Sequence, residues 1–252
     1  MTRDHFHSIQ EAGMYNVLSD YYKYTNPELH VYYYHKHLQS LNHALKKESK
    51  SAIVSDIQRQ NEYGKVRFLQ ATNNLPTVDI YMNGKCLLKE VSFKTMSNEL
   101  TLPTGKYQLD IYETGKQIDP LSSQILKIDS NVYHTFAFAG NERNLTIQLF
   151  PEFPIVPANE TKLRIIQLAE NLPTIDIAVQ KGDIVFPSIP YKGASSYLGL
   201  FPMTVYLEAR NAETKEVLKK FPALQLEADK TYSGFLVEGT DEKTCELLIF
   251  SC

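Results

Sequence analysis

An internal duplication constrains this chain more than any other feature of its sequence. The 18 residues from Lys65 to Met82 recur from Lys162 to Val179, displaced by 97 residues, and nine of the 18 positions are identical. The identical positions include an Arg, a Gln and an Asp in step with Asn-Leu-Pro-Thr, which chance does not preserve. The repeating unit exceeds the ~20–50 residues of solenoid repeats and is large enough to bury its own core. The sequence therefore predicts two tandem domains.

Both copies have the pattern of a β-sandwich. In the first copy, Thr77–Met82 is rich in β-formers and leads into Asn83-Gly84, a strong hairpin signal, after which Lys85–Val91 returns. Further strands are predicted at about 96–102, 106–112, 121–129, 132–139 and 145–150. Short strands with a turn every ~8–12 residues are typical of a sandwich. We therefore predict a mainly β fold, with two tandem immunoglobulin-like β-sandwich domains preceded by an α-helical N-terminal segment.

The predicted domain boundaries follow from the repeat. Residues 1–62 form a helical Tyr/His-rich N-terminal segment, and residues 63–152 form the first sandwich. A Pro-rich linker at 153–160 then leads to the second sandwich at 161–252. Three prolines within 151–157 predict that the connection is a stiff, extended spacer.

Two helices are predicted in the N-terminal segment. Ser8-Ile-Gln-Glu11 fits a capping box and predicts a helix at about 8–23. Asn26-Pro27 places a capping residue before a proline at the first helical position, which predicts a second helix at 27–47. Ala52–Arg59 is a candidate for one or two further helical turns.

The second predicted helix carries an apolar stripe at alternating spacings of three and four. Its members are Val31, Tyr34, Leu38, Leu41 and Leu45. Such a stripe must be covered, either by the first sandwich of the same chain or by another molecule. Docking on the first sandwich is the favoured interpretation. Because the spacing is also that of a short coiled-coil seam, the alternative is that these five residues bind a protein partner or a second copy of the chain.

The same segment concentrates tyrosine and histidine. Its seven tyrosines suit either an interface or coverage of the neighbouring sandwich; they are Tyr15, Tyr21, Tyr22, Tyr24, Tyr32, Tyr33 and Tyr34. Six of the seven histidines also lie here, at His5, His7, His30, His35, His37 and His43. No two of the histidines from 30 to 43 are three or four residues apart, the spacing that chelation on a helix requires. We therefore predict a titratable surface and no bound metal or cofactor.

Asp79 and Asp176 are polar positions that both copies hold within apolar strands. One interpretation is a ligand for a metal or a sugar, but one acid per copy makes a poor calcium site, which needs ~6–8 oxygens. The favoured interpretation is structural. Each carboxylate would accept hydrogen bonds from backbone amides of the preceding Asn-Leu-Pro turn, or pair with Arg67 and Arg164.

Signatures of catalysis are missing from the sequence. It contains no G-x-S-x-G elbow, no P-loop, no G-x-G-x-x-G and no H-E-x-x-H, and His134, the lone histidine of the repeats, is predicted to be structural. A net charge of −3 gives no basic footprint for nucleic acid. No apolar run approaches the ~20 residues that span a bilayer. We predict a protein that is not an enzyme, binds no nucleic acid and has no membrane span.

Three cysteines cannot form a closed disulfide framework, so reduced thiols are the default interpretation. Cys252 is a candidate for an intermolecular crosslink in an oxidising layer. The first 13 residues contain no apolar region of the ~7–15 residues that a secretory signal needs. We therefore expect synthesis in the cytoplasm without a signal peptide.

The repeat cores carry a further pattern. In the first copy it runs from Val66-Arg67 through Leu75–Tyr81 to Asn83-Gly84, and in the second it runs from Leu163-Arg164 to Ile177. On these residues the cores, at 65–152 and 162–250, resemble a bacterial domain of unknown function, the family numbered 4397. Its usual histidine is replaced here by Gln70 and Gln167, and the second copy has Lys181-Gly182 in place of Asn-Gly. The resemblance implies a β-sandwich found in tandem on bacterial surface or envelope proteins, without established catalysis.

These inferences favour a structural role. We expect a non-catalytic structural, adaptor or anchoring protein of a bacterial surface assembly. The outer layers of an endospore would reconcile a surface location with synthesis in the cytoplasm, because they assemble from proteins of the surrounding mother cell. The alternative is a binding module for a small ligand or a glycan. A module should show a pocket repeated in both copies, whereas an adaptor should show an apolar helix stripe or an unpaired sheet edge at its surface.

Overall fold

A computed structural model describes residues 3–23, 25–48, 63–239 and 245–251. The chain divides into two compact units, residues 1–61 and residues 62–252. The first unit contains helices α1 (Arg3–Tyr22) and α2 (Pro27–Glu48), and the strands lie in the second. The predicted class, a mainly β fold of sandwiches preceded by a helical segment, is confirmed.

The two helices follow from local sequence signals to different degrees. Helix α2 begins at Pro27, and the side chain of Asn26 caps it by accepting a hydrogen bond from the Leu29 N–H at 3.2 Å. Helix α1 begins at Arg3, so the predicted start at Ser8 is wrong. No Gly or Pro stands between Arg3 and Ser8 to end the helix there. The predicted turns at 52–59 lie outside the described residues.

The first repeat is a sandwich of two four-stranded sheets. Its strands are β1 Tyr63–Gln70, β2 Val78–Met82, β3 Lys85–Val91, β4 Leu100–Pro103, β5 Gly105–Glu113, β6 Ser122–Ile128, β7 Tyr133–Ala139 and β8 Thr146–Glu152. The sheet orders are β4-β1-β7-β8 and β3-β2-β5-β6, with β1 and β7 parallel. Asn83 and Gly84 have φ of 49° and 75°, so the predicted β2–β3 hairpin forms with the turn that Asn-Gly favours.

The second repeat has the same plan with one change. Its strands are β9 Thr161–Gln167, β10 Ile175–Val179, β11 Ile184–Ile189, β12 Leu198–Leu200, β13 Met203–Val205, β14 Leu207–Asn211, β15 Val217–Lys220, β16 Leu224–Leu226, β17 Lys230–Glu238 and β18 Cys245–Ser251. The sheets are β12-β9-β17-β18 and β11-β10-β14-β15, with β13 and β16 as a separate pair. The long hairpin β5–β6 of the first repeat is thus divided in two in the second. Pro222, which lacks an N–H for the ladder, stands between β15 and β16.

Each repeat encloses an apolar core between its own sheets, and a third apolar cluster joins the two repeats. In the third cluster, Leu69 and Phe150 of the first repeat pack with Ile166 and Phe235 of the second. The rings of Phe150 and Phe235 meet edge to face, with centroids 6.2 Å apart. Strands β7, β9 and β17 are therefore buried on both faces, which their nearly continuous apolar character reflects. The Pro-rich connection does not hold the repeats apart.

Candidate functional site

Helices α1 and α2 form an antiparallel hairpin, and small and polar groups make part of the contact between them. Ala12 and Ser19 of α1 are 2% and 1% exposed. His30 and His37 of α2 donate from Nδ1 to the carbonyl oxygens of Ser19, at 2.9 Å, and Ala12, at 2.8 Å. Because a carbonyl only accepts, the proton of each imidazole is on Nδ1 or on both nitrogens. Small side chains on α1 let the helices approach closely enough for these bonds.

The predicted apolar stripe of α2 lies on the outside of this hairpin. Val31 is 52% exposed, Tyr34 46% and Leu38 38%, while Leu41 is half-buried. The side chain of Leu45 lies outside the part of the chain that the structure describes. The structure therefore places three members of the stripe at the surface.

Helix α1 presents large apolar side chains outward as well. Its exposed apolar residues are Ile9, Met14, Val17 and Tyr21. A surface helix ordinarily buries such residues and exposes polar ones. Here the hairpin buries Ala12, Ser19 and the Nδ1 atoms of two histidines, and it exposes aliphatic and aromatic side chains. Met14, Val17 and Tyr21 lie at the helical spacing of three and four from which the first helix is predicted.

The tyrosines of the hairpin divide into two sets. Tyr33 of α2 stacks between Tyr22, with centroids 5.7 Å apart, and Tyr15, with centroids 6.3 Å apart, and this stack joins the two helices. Tyr32 and Tyr34 are exposed, as is Tyr21 on α1. Some tyrosines therefore hold the hairpin together, which neither interpretation predicted, and others are available at its surface. Tyr24 lies outside the described residues.

The duplicated aspartates bond to the next strand of the same sheet. Asp79 accepts hydrogen bonds from the Glu90 N–H at 2.9 Å and the Thr114 hydroxyl at 3.2 Å. Asp176 accepts from the Ser188 N–H at 2.8 Å and from Lys215 Nζ at 2.7 Å. These bonds suit the predicted structural role, but neither the Asn-Leu-Pro amides nor the arginines are the partners.

The partners of the two aspartates share one backbone feature. Glu90 and Ser188 have φ of 54° and 52°, and both stand where the strand pairing shifts register at a bulge. A bulge leaves a backbone N–H outside the ladder, and the carboxylate accepts from it. Burial raises the pKa of Asp79 and of Asp176, but hydrogen bonds outweigh burial and the pKa of each lies below its ordinary value. No pattern in the sequence indicates a bulge 11 or 12 residues away.

The duplicated arginines converge on one acid between the repeats. Glu152, which is buried, lies 2.7 Å from Arg67 Nη2 and 3.7 Å from Arg164 Nη2. Thr135 also donates to Glu152. Arg164 further donates to the Pro151 carbonyl at 2.9 Å. Sequence reasoning missed Glu152 because it lies beyond the duplicated segment and is the single acid that serves both arginines.

The two glutamines that replace the usual histidine of the family are completely buried. Gln70 Oε1 accepts from the Thr72 N–H at 2.9 Å, and Gln167 Oε1 accepts from the Ala169 N–H at 2.6 Å. Both side chains thus fix the chain just after a strand of the inter-repeat sheets. His134 is also buried, and its Nε2 accepts from the Asp129 N–H at 3.4 Å.

The thiols and possible metal ligands offer little chemistry. Within residues 3–23, 25–48, 63–239 and 245–251, no group of three His, Cys, Asp or Glu side chains is arranged to hold a metal ion. Cys86 is exposed and Cys245 is buried, and burial raises the pKa of Cys245 to about 11. Cys252, the predicted crosslink, lies outside the described residues. Among the described helices, none is long and apolar enough to cross a bilayer.

Fold and surface together define a tandem β-sandwich protein with an N-terminal helical hairpin. Residues 64–178 match the model of a family described as "Domain of unknown function (DUF4397)". The predicted resemblance to that family is therefore confirmed over these residues. The match spans the strands of the first sandwich and reaches β10 of the second. No curated protein matches the sequence.

Two solved structures share a weaker similarity with the chain. The Bacillus anthracis TIE protein is 12% identical, and the alignment covers 74% of this chain and 34% of that one with a TM-score of 0.25. CBMbc (family CBM26) of Eubacterium rectale Amy13K, in complex with maltoheptaose, is 10% identical over 75% of this chain and 96% of that one, with a TM-score of 0.22. The chain thus spans about a third of the length of the first protein. Neither similarity supports a transfer of function.

Proposed function

We propose that this protein is a non-catalytic structural or adaptor component of a bacterial surface assembly, and that it associates through the α1–α2 hairpin. One observation carries the proposal: the hairpin exposes Val31, Tyr34 and Leu38, while small residues, histidine bonds and a tyrosine stack join its two helices. Apolar side chains held at the surface in this way are typical of sites of protein association.

The occupant that we propose for the exposed stripe is the hairpin of a second copy. Both helices present apolar residues outward, so two hairpins can cover each other as a four-helix arrangement. Residues 1–62 contain seven Lys/Arg and seven Asp/Glu, so two copies carry no net charge that would oppose association near neutral pH. The exposed Tyr32 and Tyr34 supply large contact area at low entropic cost.

The β unit supports the same proposal. An adaptor must keep its attachment points at a fixed separation, and the shared apolar cluster together with Glu152 ties the two repeats into one body. A surface setting, including the outer layers of an endospore, is supported by the family resemblance of the repeats. Immunogold labelling of sporulating cells tests this setting: label at the spore surface is expected, and label confined to the vegetative cytoplasm would contradict it.

The test of self-association replaces two exposed stripe residues in the full chain. Val31→Glu with Leu38→Glu places two charges on the stripe, and sedimentation velocity is expected to show loss of the assembly. The matched control is His35→Glu with Gln39→Glu, which adds the same charges at exposed positions of the same helix outside the stripe. The control is expected to assemble like the unmodified chain.

The alternative occupant of the stripe, the first sandwich of the same chain, has a different signature. The unmodified chain would then be monomeric, and the stripe variant would lose melting temperature equally at every protein concentration. That result, or an assembly that survives the stripe variant, would contradict self-association through the hairpin.

A further inference from the structure

The second repeat contains an apolar cavity of about 220 Å³ at one end of its sandwich. The cavity lies between the sheet that contains β12 and β9 and the strands β10, β11 and β13. Nearly all of its lining is apolar; the main contributors are Leu163, Val179, Phe186, Leu198, Met203 and Val205. Val179 and Met203 are also exposed to solvent. The cavity is therefore an apolar site that opens to the surface.

One of the side chains that line the cavity is much smaller than its counterpart in the first repeat. Val205 in β13 is paired with Leu224, and the position displaced by 98 residues is Tyr107, which is paired with Leu126 in β5–β6. The ring of Tyr107 packs against the core of the first repeat, and its hydroxyl donates to the Pro103 carbonyl at 2.7 Å. Valine at the same place in the second repeat has no ring to occupy this volume.

Side-chain bonds mark the point beside the cavity where the hairpin divides. At the break between β13 and β14, the side chain of Gln180 donates to the carbonyls of Leu207, at 3.1 Å, and Phe221, at 3.0 Å. The Leu207 carbonyl also accepts from the Phe221 N–H at 2.9 Å. Gln180 thus ties the start of β14 to the residue that follows β15, next to the separate pair of β13 and β16.

We propose that this cavity binds a small, uncharged, apolar molecule, such as a single aromatic ring or a short alkyl chain. An apolar cavity of ~150 Å³ stays dry and takes up benzene, so a cavity lined like this one and somewhat larger has room for such a guest. A sugar would leave its hydroxyls without partners among these side chains, and burying them unpaired is costly. The site goes beyond the proposed function, because it belongs to one repeat and needs no contact with the hairpin.

Toluene is a suitable probe, and methyl-labelled full-length protein gives the readout. Titration is expected to shift the methyl signals of Leu163, Val179, Leu198 and Met203 saturably. Val205→Tyr, which copies the first repeat, is expected to abolish the saturable shift because the ring fills the cavity. Leu200→Phe, at a half-buried position of the lining, is a second filling variant in case the first one folds poorly. Tyr107→Phe, the matched control in the first repeat, is expected to leave the toluene response unchanged.

Four results would overturn the proposal. The first is an absence of saturable shifts in the unmodified protein. The second is a toluene response that persists in both filling variants once their folding has been verified. The third is that the unmodified protein cosediments with phosphatidylcholine vesicles and Val205→Tyr does not. The cavity would then hold a lipid chain and not a free small molecule. Maltose at the same concentrations is expected to leave these methyl signals unmoved, and saturable shifts with maltose would contradict the apolar class.

Discussion

The two repeats share a strand plan and a duplicated segment, yet side chains at corresponding positions make different contacts in each. Asp79 is held by neutral donors, whereas Asp176 also bonds to the charged Lys215. Tyr107 fills a space in the first repeat that remains open beside Val205 in the second. The shared residues maintain the bulges and the inter-repeat contact. The positions that differ, such as Tyr107 and Val205, account for the different contacts within the two repeats.

Separation of the two repeats is expected to have the largest effect on stability. Residues 63–252 are expected to unfold in one cooperative transition, because the third apolar cluster spans both repeats. Residues 63–152 alone would expose Leu69, Ala137 and Phe150 and are expected to aggregate or to lose cooperativity. Circular dichroism and denaturant unfolding of the two fragments measure this. If 63–152 is as stable per residue as the longer fragment, the contact between the repeats contributes little to stability.

Loss of Glu152 is expected to have the next largest effect. Glu152→Ala leaves the guanidinium groups of Arg67 and Arg164 without their shared acid in a buried setting. Removing one partner of a buried ion pair costs ~3–5 kcal/mol of unfolding free energy. Urea denaturation measures it, with Glu142→Ala, at an exposed site, as the control. A cost as small as that of the control would show that the two arginines hold the repeats together without the acid.

Asp79 and Asp176 are expected to contribute amounts similar to each other to the free energy of unfolding. Asp79→Ala and Asp176→Ala each leave a backbone N–H of a bulge unpaired, and the expected loss is ~1–3 kcal/mol. The folded-state pKa of each acid lies below its ordinary value of 3.8, so its contribution is present above that pH and is lost as the pH falls through the lower folded value. Each variant is therefore expected to show a shallower loss of stability in acid. A loss of ligand binding with unchanged melting temperature would instead assign these acids to a binding site.

The sequence predicted those features that depend on neighbouring residues. Asn83-Gly84 specifies its hairpin through the left-handed conformations that it tolerates, and Asn26 specifies the start of α2 through a bond three residues away. The alternating spacing of three and four predicted the apolar stripe from Val31 to Leu41. Its exposure could not be predicted in the same way, because it depends on how α2 packs against the small residues of α1. The partners of Asp79 and Arg67 lie on other strands, and their identities follow only from sheet register and from the contact between repeats.

The smallest expected effect on stability comes from the charged partner that distinguishes Asp176 from Asp79. Lys215 pairs with Asp176, but its side chain is 56% exposed, so water competes with the ion pair. Lys215→Ala is expected to cost at most about 1 kcal/mol, since the Ser188 N–H still bonds to the carboxylate. In the Asp176→Ala background, Lys215→Ala should cost less, because the ion pair is already broken and Lys215 keeps only its bond to the Ala212 carbonyl. Thr114→Val is the corresponding change in the first repeat, where it removes a hydroxyl donor and not a charge. Added salt should reduce the cost of the Lys215 change and leave that of the Thr114 change unaltered. An equal response of the two variants to salt would show that the charge of Lys215 does not distinguish the repeats.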